Sequence, residues 1–222
     1  MIEDQFLKKR ISETENDIFP LDRLLSVESV YLIFQREYAK EKNKEIFFKD
    51  RKFQRLREGY FAMFVAISLQ DTSGKPHYLV FPSNPANDVY IAYQINVEKG
   101  EKPKFGAYEF DIKEYTNWSK NFEEFTENSV IPKIHVYNIA IPTYREMDGH
   151  DIDTLINYLQ SENLANRTWI LGLPTEADYS HSISAVTIIS KEGIVYEKTI
   201  DLEDWVSNNR TPLVFQDVIR FK

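Results

Sequence analysis

Hydrophobic and charged residues alternate most clearly between Ala107 and Lys113. Because successive side chains of a β-strand point to opposite faces, this alternation predicts a strand with one apolar and one ionic face. Neighbours on the ionic face lie roughly 6.5 to 7 Å apart, close enough for two carboxylates and an ammonium group to converge on one metal-bound phosphate. The apolar face carries Tyr108, Phe110 and Ile112, and the ionic face carries Glu109, Asp111 and Lys113.

Three consecutive strands are predicted around this segment, at His77–Phe81, Asp88–Ile95 and Phe105–Lys113. The loop between the second and third strands contains the Gly and Pro residues of a hairpin connection, and three lysines make it basic. Asp88 opens the middle strand. The sequence does not fix the pairing register, so it leaves open whether Asp88 comes near Asp111.

Apolar residues that recur at intervals of three and four predict helices before these strands. A short helix is predicted over Ile2–Ile11, a longer one begins near Asp22, and a third covers Arg51–Leu69. The second half of this third helix is apolar almost all round, so we expect it to be buried. Glu58 lies where its charged half meets its apolar half. A carboxylate there needs a partner, so Glu58 is either paired with a neighbouring Arg or directed at a functional site.

The rest of the chain continues the alternation of helices and strands. We expect helices at Glu114–Asn128 and Asp151–Leu159, and either Ile134–Ile141 or Thr168–Leu171 as a fourth core strand. A hairpin that continues the sheet or forms a second one is predicted near the end. Its strands are Ser184–Ile189 and Ile194–Ile200, followed by a helical turn at Asp201–Val206 and a closing strand at Leu213–Phe221.

The acids and histidines outside the strands carry little catalytic signal. Asp148, Asp151 and Asp153 crowd a predicted helix start, where carboxylates act as caps and as partners of the helix dipole rather than as metal ligands. The four histidines stand far apart, and none has a serine or second histidine at a telling spacing. Hydrolysis by a Ser/His/Asp triad is therefore unsupported.

Composition limits the classes of protein to be considered. The chain has 222 residues, a formal net charge of -8 and no cysteine. Without cysteine there is no disulfide framework and no thiolate nucleophile or metal ligand. No run approaches the roughly 18 to 20 apolar residues that span a bilayer, and the N-terminus lacks the pattern of a secretion signal. We expect a soluble, cytoplasmic protein that does not bind membranes.

Positive charge is concentrated in one region of this acidic chain, between Lys40 and Arg57. The net charge counts against a generic nucleic-acid coat, because affinity for phosphate depends on clustered positive charge. The basic region is nevertheless the best candidate for a surface that faces phosphates, the alternative being a solvated loop and helix start. The candidate nucleic-acid contacts are Lys49, Arg51, Lys52 and Arg55, with Lys102 and Lys104 from the basic loop.

The order helix, strand, strand, strand, with an acid opening the middle strand and Asp-Ile-Lys ending the third, resembles the PD-(D/E)XK nuclease superfamily. The resemblance covers about residues 51–113. Asn87 stands where the family has a proline, with Pro85 nearby. The resemblance implies Asp88 and Asp111 as ligands of Mg²⁺ or Mn²⁺, Lys113 as the catalytic lysine, Glu58 as an auxiliary acid and Glu109 as an alternative to Asp111.

We therefore expect an α/β (α+β) single domain over residues 1–222 with a restriction-endonuclease-like mixed central sheet flanked by helices. Residues 1–50 would form an N-terminal helical part, 51–175 the nuclease-like core and 176–222 a β-rich extension. The expected activity is metal-dependent hydrolysis of DNA, with RNA less favoured. The alternative is a binding or regulatory protein with a similar fold and no catalysis. The oligomeric state is open, and a homodimer is one option.

Overall fold

The structure is a computed structural model that describes residues 24–42, 47, 50–82, 88–95, 104–116, 121–144, 147–173 and 182–209. The predicted helix Ile2–Ile11 and the predicted strand Leu213–Phe221 lie outside these ranges. Within these ranges, no helix is long and apolar enough to cross a membrane.

Seven strands of the described chain form one mixed sheet in which spatial order follows sequence order. The first three strands and the last three are antiparallel meanders, and the two central pairings, β3 with β4 and β4 with β5, are parallel. The C-terminal hairpin therefore continues the central sheet. The strands are β1 His77–Val80, β2 Val89–Ile95, β3 Lys104–Ile112, β4 Asn138–Thr143, β5 Thr168–Gly172, β6 Ile183–Ser190 and β7 Gly193–Asp201.

Helices cover both faces of this sheet, as expected where parallel strands lie at its centre. One face, with Leu79, Phe110 and Trp169, packs against the long second helix, and the opposite face of β4–β6 packs against helices that follow β3 and β4. The helices are α1 Val27–Lys40, α2 Gln54–Ser73, α3 Phe122–Phe125, α4 Ile131–Ile134, α5 Gly149–Ser161 and α6 Leu202–Asn208. The mixed α+β class with a helix-flanked sheet is confirmed.

Helix α2 is the buried helix predicted from Arg51–Leu69. Every residue from Leu56 to Leu69 is buried, including Arg57 and Glu58. Its start is later than predicted because Arg51–Phe53 form a 3₁₀ turn, which Asp50 caps by accepting a hydrogen bond from the Lys52 amide at 2.9 Å. The charged end of α2 therefore lies at the edge of the core, and its apolar end lies inside it.

The connection from β3 to β4 differs most from expectation. Helical structure runs from Phe122 through a π-helical turn to Ile134, rather than over Glu114–Asn128. Ile134 thus ends a helix, and β4 starts at Asn138. A short apolar run does not distinguish the end of a buried helix from a buried strand, which explains the wrong boundary. Asp148 caps α5 through a capping box with Asp151, as predicted for these acids.

A buried hydrogen bond between α2 and β5 gives a test of this packing. The indole Nε1 of Trp169 donates to Ser68 Oγ at 2.9 Å, and the hydroxyl donates to the Val65 carbonyl at 2.8 Å. Ser68→Ala leaves the buried indole N–H without its acceptor, so we expect a loss of about 1–3 kcal/mol in the free energy of unfolding, measured in urea. Ser161→Ala, at an exposed hydroxyl of α5, is the matched control. Equal stabilities of the two variants would contradict the prediction.

Candidate active site

The pairing of β2 with β3 brings the two predicted metal ligands together. Val89 lies opposite Phe110, and the Asp88 amide donates to the Phe110 carbonyl at 3.1 Å. The regular ladder ends at this pair, and Asp88 lies just before it, with its carboxyl group next to that of Asp111. Two carboxyl groups this close are within reach of one ion.

The Asp88 carboxylate is also bonded to the end of β3. Its Oδ2 accepts a hydrogen bond from the Ile112 amide at 2.6 Å. This short bond orients the carboxyl group across the two strands. The side chain that opens β2 is therefore held against the strand that carries Asp111, rather than turned toward solvent.

Lys113 completes the predicted group. Its Nζ lies 2.9 Å from Asp111 Oδ2, and its backbone N–H donates to the Ala140 carbonyl at 2.9 Å, which extends the parallel pairing with β4. The Lys113 side chain is 26% exposed, whereas that of Asp111 is 5% exposed. The ammonium group therefore lies between the buried carboxylate and solvent, where a water molecule or a phosphate can reach it.

A second lysine that the sequence analysis did not select approaches the same carboxylate. Lys133 Nζ, from α4, lies 3.9 Å from Asp111 Oδ2, and its side chain is partly exposed. It lies twenty residues beyond Lys113 in a short helix, where periodicity does not indicate which strand the side chain meets. Two ammonium groups of different exposure thus face one buried oxygen atom.

Glu58 lies on α2 beside this group and is buried. It accepts hydrogen bonds from Gln54 Nε2 and Arg55 Nη1, each at 3.0 Å. Burial raises the pKa of Glu58, although the charge and hydrogen bond of Arg55 oppose this shift. Of the two alternatives for Glu58, the salt bridge to an arginine is observed. The negative charge of Glu58 also raises the pKa of Asp88.

The crowding of carboxyl groups changes the protonation of Asp88. Burial, the negative charge of Glu58 and the adjacent carboxyl group of Asp111 raise the pKa of Asp88 to about 8, while the hydrogen bond from the Ile112 amide opposes the shift. In the absence of a cation, Asp88 therefore holds a proton at neutral pH. A divalent cation between the carboxyl groups would reverse this balance by stabilising the ionised forms.

A neighbouring, partly buried ion pair holds the start of α2 against the segment after β3. Arg57 Nε lies 3.1 Å from Glu114 Oε1, and its Nη1 donates to the Phe47 and Asp50 carbonyls at 3.0 and 2.9 Å. Burial raises the pKa of Glu114, against the opposing charge of Arg57. Glu114 directly follows Lys113, so this pair anchors the end of the Asp-Ile-Lys triplet.

Other predicted site residues lie away from this group or outside the described chain. Glu109 is exposed and lies opposite Tyr90, one residue pair further along the ladder from Asp88 than Phe110. Lys104 lies opposite Ile95 at the far end of the hairpin. At about 3.4 Å per residue, it is roughly 24 Å from Asp111 along the strand. Lys49 and Lys102 lie outside the described residues.

Two of the predicted nucleic-acid contacts lie in the 3₁₀ turn that precedes α2. Arg51 and Lys52 are exposed in the 3₁₀ turn, and Lys52 Nζ is 3.7 Å from carboxylate oxygens of Glu41 and Asp50. Arg55, one helical turn later, is directed at the protein, where it contacts Glu58 and backbone carbonyls. Nucleic-acid contact by Arg51 and Lys52 stays a prediction that their exposure permits.

The donor set fits a magnesium ion only if substrate and water supply most of the ligands. Among the described residues, no group of three or more His, Cys, Asp or Glu side chains is arranged to hold a metal ion. Magnesium is commonly bound through one or two carboxylates with several waters and phosphate oxygens. Asp88 and Asp111 meet that requirement. Asp111 Oδ2 is buried and, within the described chain, accepts no hydrogen bond despite its ionic contact with Lys113.

Comparison with protein-family models, with curated proteins and with solved structures gives no match to this chain. The functional assignment therefore depends on the residues and geometry described above.

Replacement of Asp88 by Asn tests the electrostatics of the site. Because the folded-state pKa is raised from 3.8 to about 8, the folded protein keeps a proton that the unfolded chain releases, so the stability contributed by Asp88 falls as the pH rises between these values. Asn keeps an acceptor for the Ile112 amide and buries no charge. We expect Asp88→Asn to gain stability over the wild type as the pH rises, by at most about 1.4 kcal/mol per unit of pKa difference.

Urea unfolding without divalent cations at about pH 5, 6.5 and 8 measures this difference. Asp153→Asn, which removes a carboxyl group at an exposed position of α5, is the control. A pH-independent difference for Asp88→Asn would contradict the account of its ionisation.

Proposed function

We propose that this protein is a metal-dependent nuclease that hydrolyses phosphodiester bonds of DNA, with RNA the less favoured substrate. The observation that carries the proposal is the proximity of the Asp88 and Asp111 carboxyl groups at the end of the β2–β3 ladder, with Lys113 Nζ 2.9 Å from the Asp111 carboxylate. The order of elements also supports it. A buried helix precedes three antiparallel strands, and a helical connection leads to a strand parallel to the third, as in the restriction-endonuclease-like core that the sequence resembles.

The chemistry follows from the residues in these positions. When bound, Mg²⁺ or Mn²⁺ would neutralise charge on the phosphate and lower the pKa of a coordinated water. Asp88 and Asp111 would hold the cation, and Glu58 would keep its bonds to Gln54 and Arg55 beside them. Lys113 would move from its carboxylate partner to orient the attacking water, a role suited to an ammonium group on a flexible stem. Hydrolysis adds the hydroxyl to phosphorus and returns a proton to the leaving oxygen.

Lys133 fits the same reaction as a phosphate contact. Its ammonium group is more exposed than that of Lys113 and lies farther from Asp111. Charge on the phosphate increases in the transition state, and a preorganised cation aimed at it lowers the barrier. Cation binding by Asp111 would weaken the hold of this carboxylate on both lysines, which leaves them available to substrate and water.

A second candidate function is binding without catalysis. The observation that favours it is the charge balance of the site, because Asp111 pairs with Lys113, Glu58 with Arg55 and Glu114 with Arg57 without any added ion. Such a network could serve the fold alone. Dependence on a divalent cation separates the two functions.

Titration with Mn²⁺ tests the metal site directly. We expect calorimetry to detect binding to the wild type that Asp88→Asn and Asp111→Asn each remove, since each supplies one of two protein ligands. Affinity should rise by about tenfold per pH unit below a pH of about 8 and level off above it, because Asp88 must release its proton to bind. Glu109→Gln tests whether Glu109 rather than Asp111 is the cation ligand from β3. We expect this variant to retain Mn²⁺ binding.

The same variants separate binding from chemistry. Lys113→Met should retain Mn²⁺ binding and lose cleavage of single- and double-stranded DNA, by about 100-fold or more. Asp153→Asn is the control for both assays. Absence of Mn²⁺ binding by the wild type, or of cleavage of any DNA or RNA with Mg²⁺ or Mn²⁺, would overturn the nuclease proposal in favour of the second candidate.

The basic turn before α2 generates a separate prediction about nucleic-acid binding. Replacing both Arg51 and Lys52 with Gln should weaken DNA binding and reduce the slope of log affinity against log salt by about one for each lost phosphate contact. Lys75→Gln/Lys191→Gln removes the same charge at an exposed and a half-buried position away from this end of α2 and should leave the slope unchanged. Fluorescence anisotropy over a range of salt measures both. Equal slopes for the two double variants would exclude this turn as the phosphate-facing surface.

A further inference from the structure

The guanidinium group of Arg55 joins the elements that carry the proposed site. Nη1 donates to Glu58 Oε2 at 3.0 Å and to the Asp88 carbonyl at 2.8 Å, and Nη2 donates to the Pro82 carbonyl at 3.0 Å. The group also lies over the ring of Phe81, 5.5 Å from its centroid. One side chain of α2 therefore contacts the chain just after β1 and just before β2.

These contacts hold the backbone of Asp88, whose side chain is one of the two proposed cation ligands. Asp88 precedes β2, so it lies at the end of the ladder rather than inside it. Its N–H is bonded to the Phe110 carbonyl, its carbonyl to Arg55, and its carboxylate to the Ile112 amide. Both backbone polar groups and the side chain of Asp88 thus have defined partners, and the partner of its carbonyl is Arg55.

We propose that Arg55 is a positioning residue that holds the Asp88 carboxylate in place for cation binding, and that it does not contact the phosphate of the substrate. This inference rests on the proposed function for its reference to a cation. The charge pattern of the sequence alone predicts Arg55 as a nucleic-acid contact. In the structure its side chain is 24% exposed, and its charge is opposed by Glu58 at 3.0 Å.

The geometry requires an arginine rather than any cation. A guanidinium group is a rigid planar fork that can donate from separate nitrogens to acceptors in different directions, whereas a lysine offers one nitrogen atom. The three acceptors of Arg55 are divided between Nη1 and Nη2. Arg55→Lys keeps the charge and breaks part of this set, so it separates positioning from simple charge.

Amide hydrogen exchange tests the positioning role without any metal. The Asp88 amide reports on the end of the β2–β3 ladder, and the Ile112 amide reports on the Asp88 carboxylate, which is its acceptor. We expect Arg55→Lys to speed exchange of both by about tenfold, because local opening becomes easier when a charge-assisted bond is lost. Arg36→Lys, at an exposed arginine of α1 paired with Glu37, is the matched control and should change neither rate.

Amides of the β5–β6 pairing serve as the reference for global unfolding. Unchanged exchange at Asp88 and Ile112 in Arg55→Lys would overturn the inference. So would an equal increase at these positions and at Ile170 of β5, because the variant would then have weakened the whole fold rather than this end of it.

Binding measurements distinguish positioning from phosphate contact. We expect Arg55→Lys to weaken Mn²⁺ binding by about tenfold and to leave the salt dependence of DNA binding unchanged. Unchanged Mn²⁺ affinity with a flatter salt dependence, as for a lost phosphate contact, would contradict the inference. If the wild type binds no Mn²⁺, the proposed function and the cation-binding role of Arg55 fail together, whereas the exchange rates still decide whether Arg55 fixes Asp88.

Discussion

The register between β2 and β3 is the constraint on which the site depends. A shift of one residue would turn either Asp88 or Asp111 to the opposite face of the sheet, because side chains alternate along a strand. The observed register runs without interruption from Ile95 opposite Lys104 to Val89 opposite Phe110. Where this regular ladder ends, the Ile112 amide donates to the Asp88 side chain, so a side chain joins the two strands there.

Burial gives this arrangement its chemical character. Asp111 and Glu58 are buried, and Asp88 is close enough to both for their carboxyl groups to affect its pKa. Burial raises the pKa values of Glu58 and Asp88, because the buried charged form loses the solvation of water unless a cation neutralises it. The protein supplies Arg55, Lys113 and Lys133 as such cations. In our account a divalent ion takes over part of that role, which leaves Lys113 and Lys133 to act on water and phosphate.

Sequence patterns predicted the elements of the site better than its contacts. Alternation located β3 and its ionic face, and the apolar second half of α2 indicated a buried helix with Glu58 at its boundary. The register was not predictable, because the loop between β2 and β3 does not identify a turn type that would set it. Ile134–Ile141 was assigned entirely to a strand, although it contains both a helix end and the start of β4.

The roles of individual cations were the least predictable feature. Arg51, Lys52 and Arg55 belong to one basic segment, yet only Arg55 lies within reach of the Pro82 and Asp88 carbonyls. Lys133 meets Asp111 because α4 crosses near the end of β3, which depends on tertiary packing and leaves no periodic signal. Charge in the sequence thus indicated where a phosphate-facing surface could lie, but not which side chains the fold itself uses.

The central claim is that Asp88 and Asp111 share one divalent cation. Anomalous diffraction from crystals soaked in Mn²⁺ tests it most directly. We predict a single strong peak about 2.0–2.3 Å from oxygens of both carboxylates, accompanied by separation of Lys113 from Asp111. A peak bound by neither carboxylate, or no peak while Lys113 stays paired with Asp111, would contradict the account.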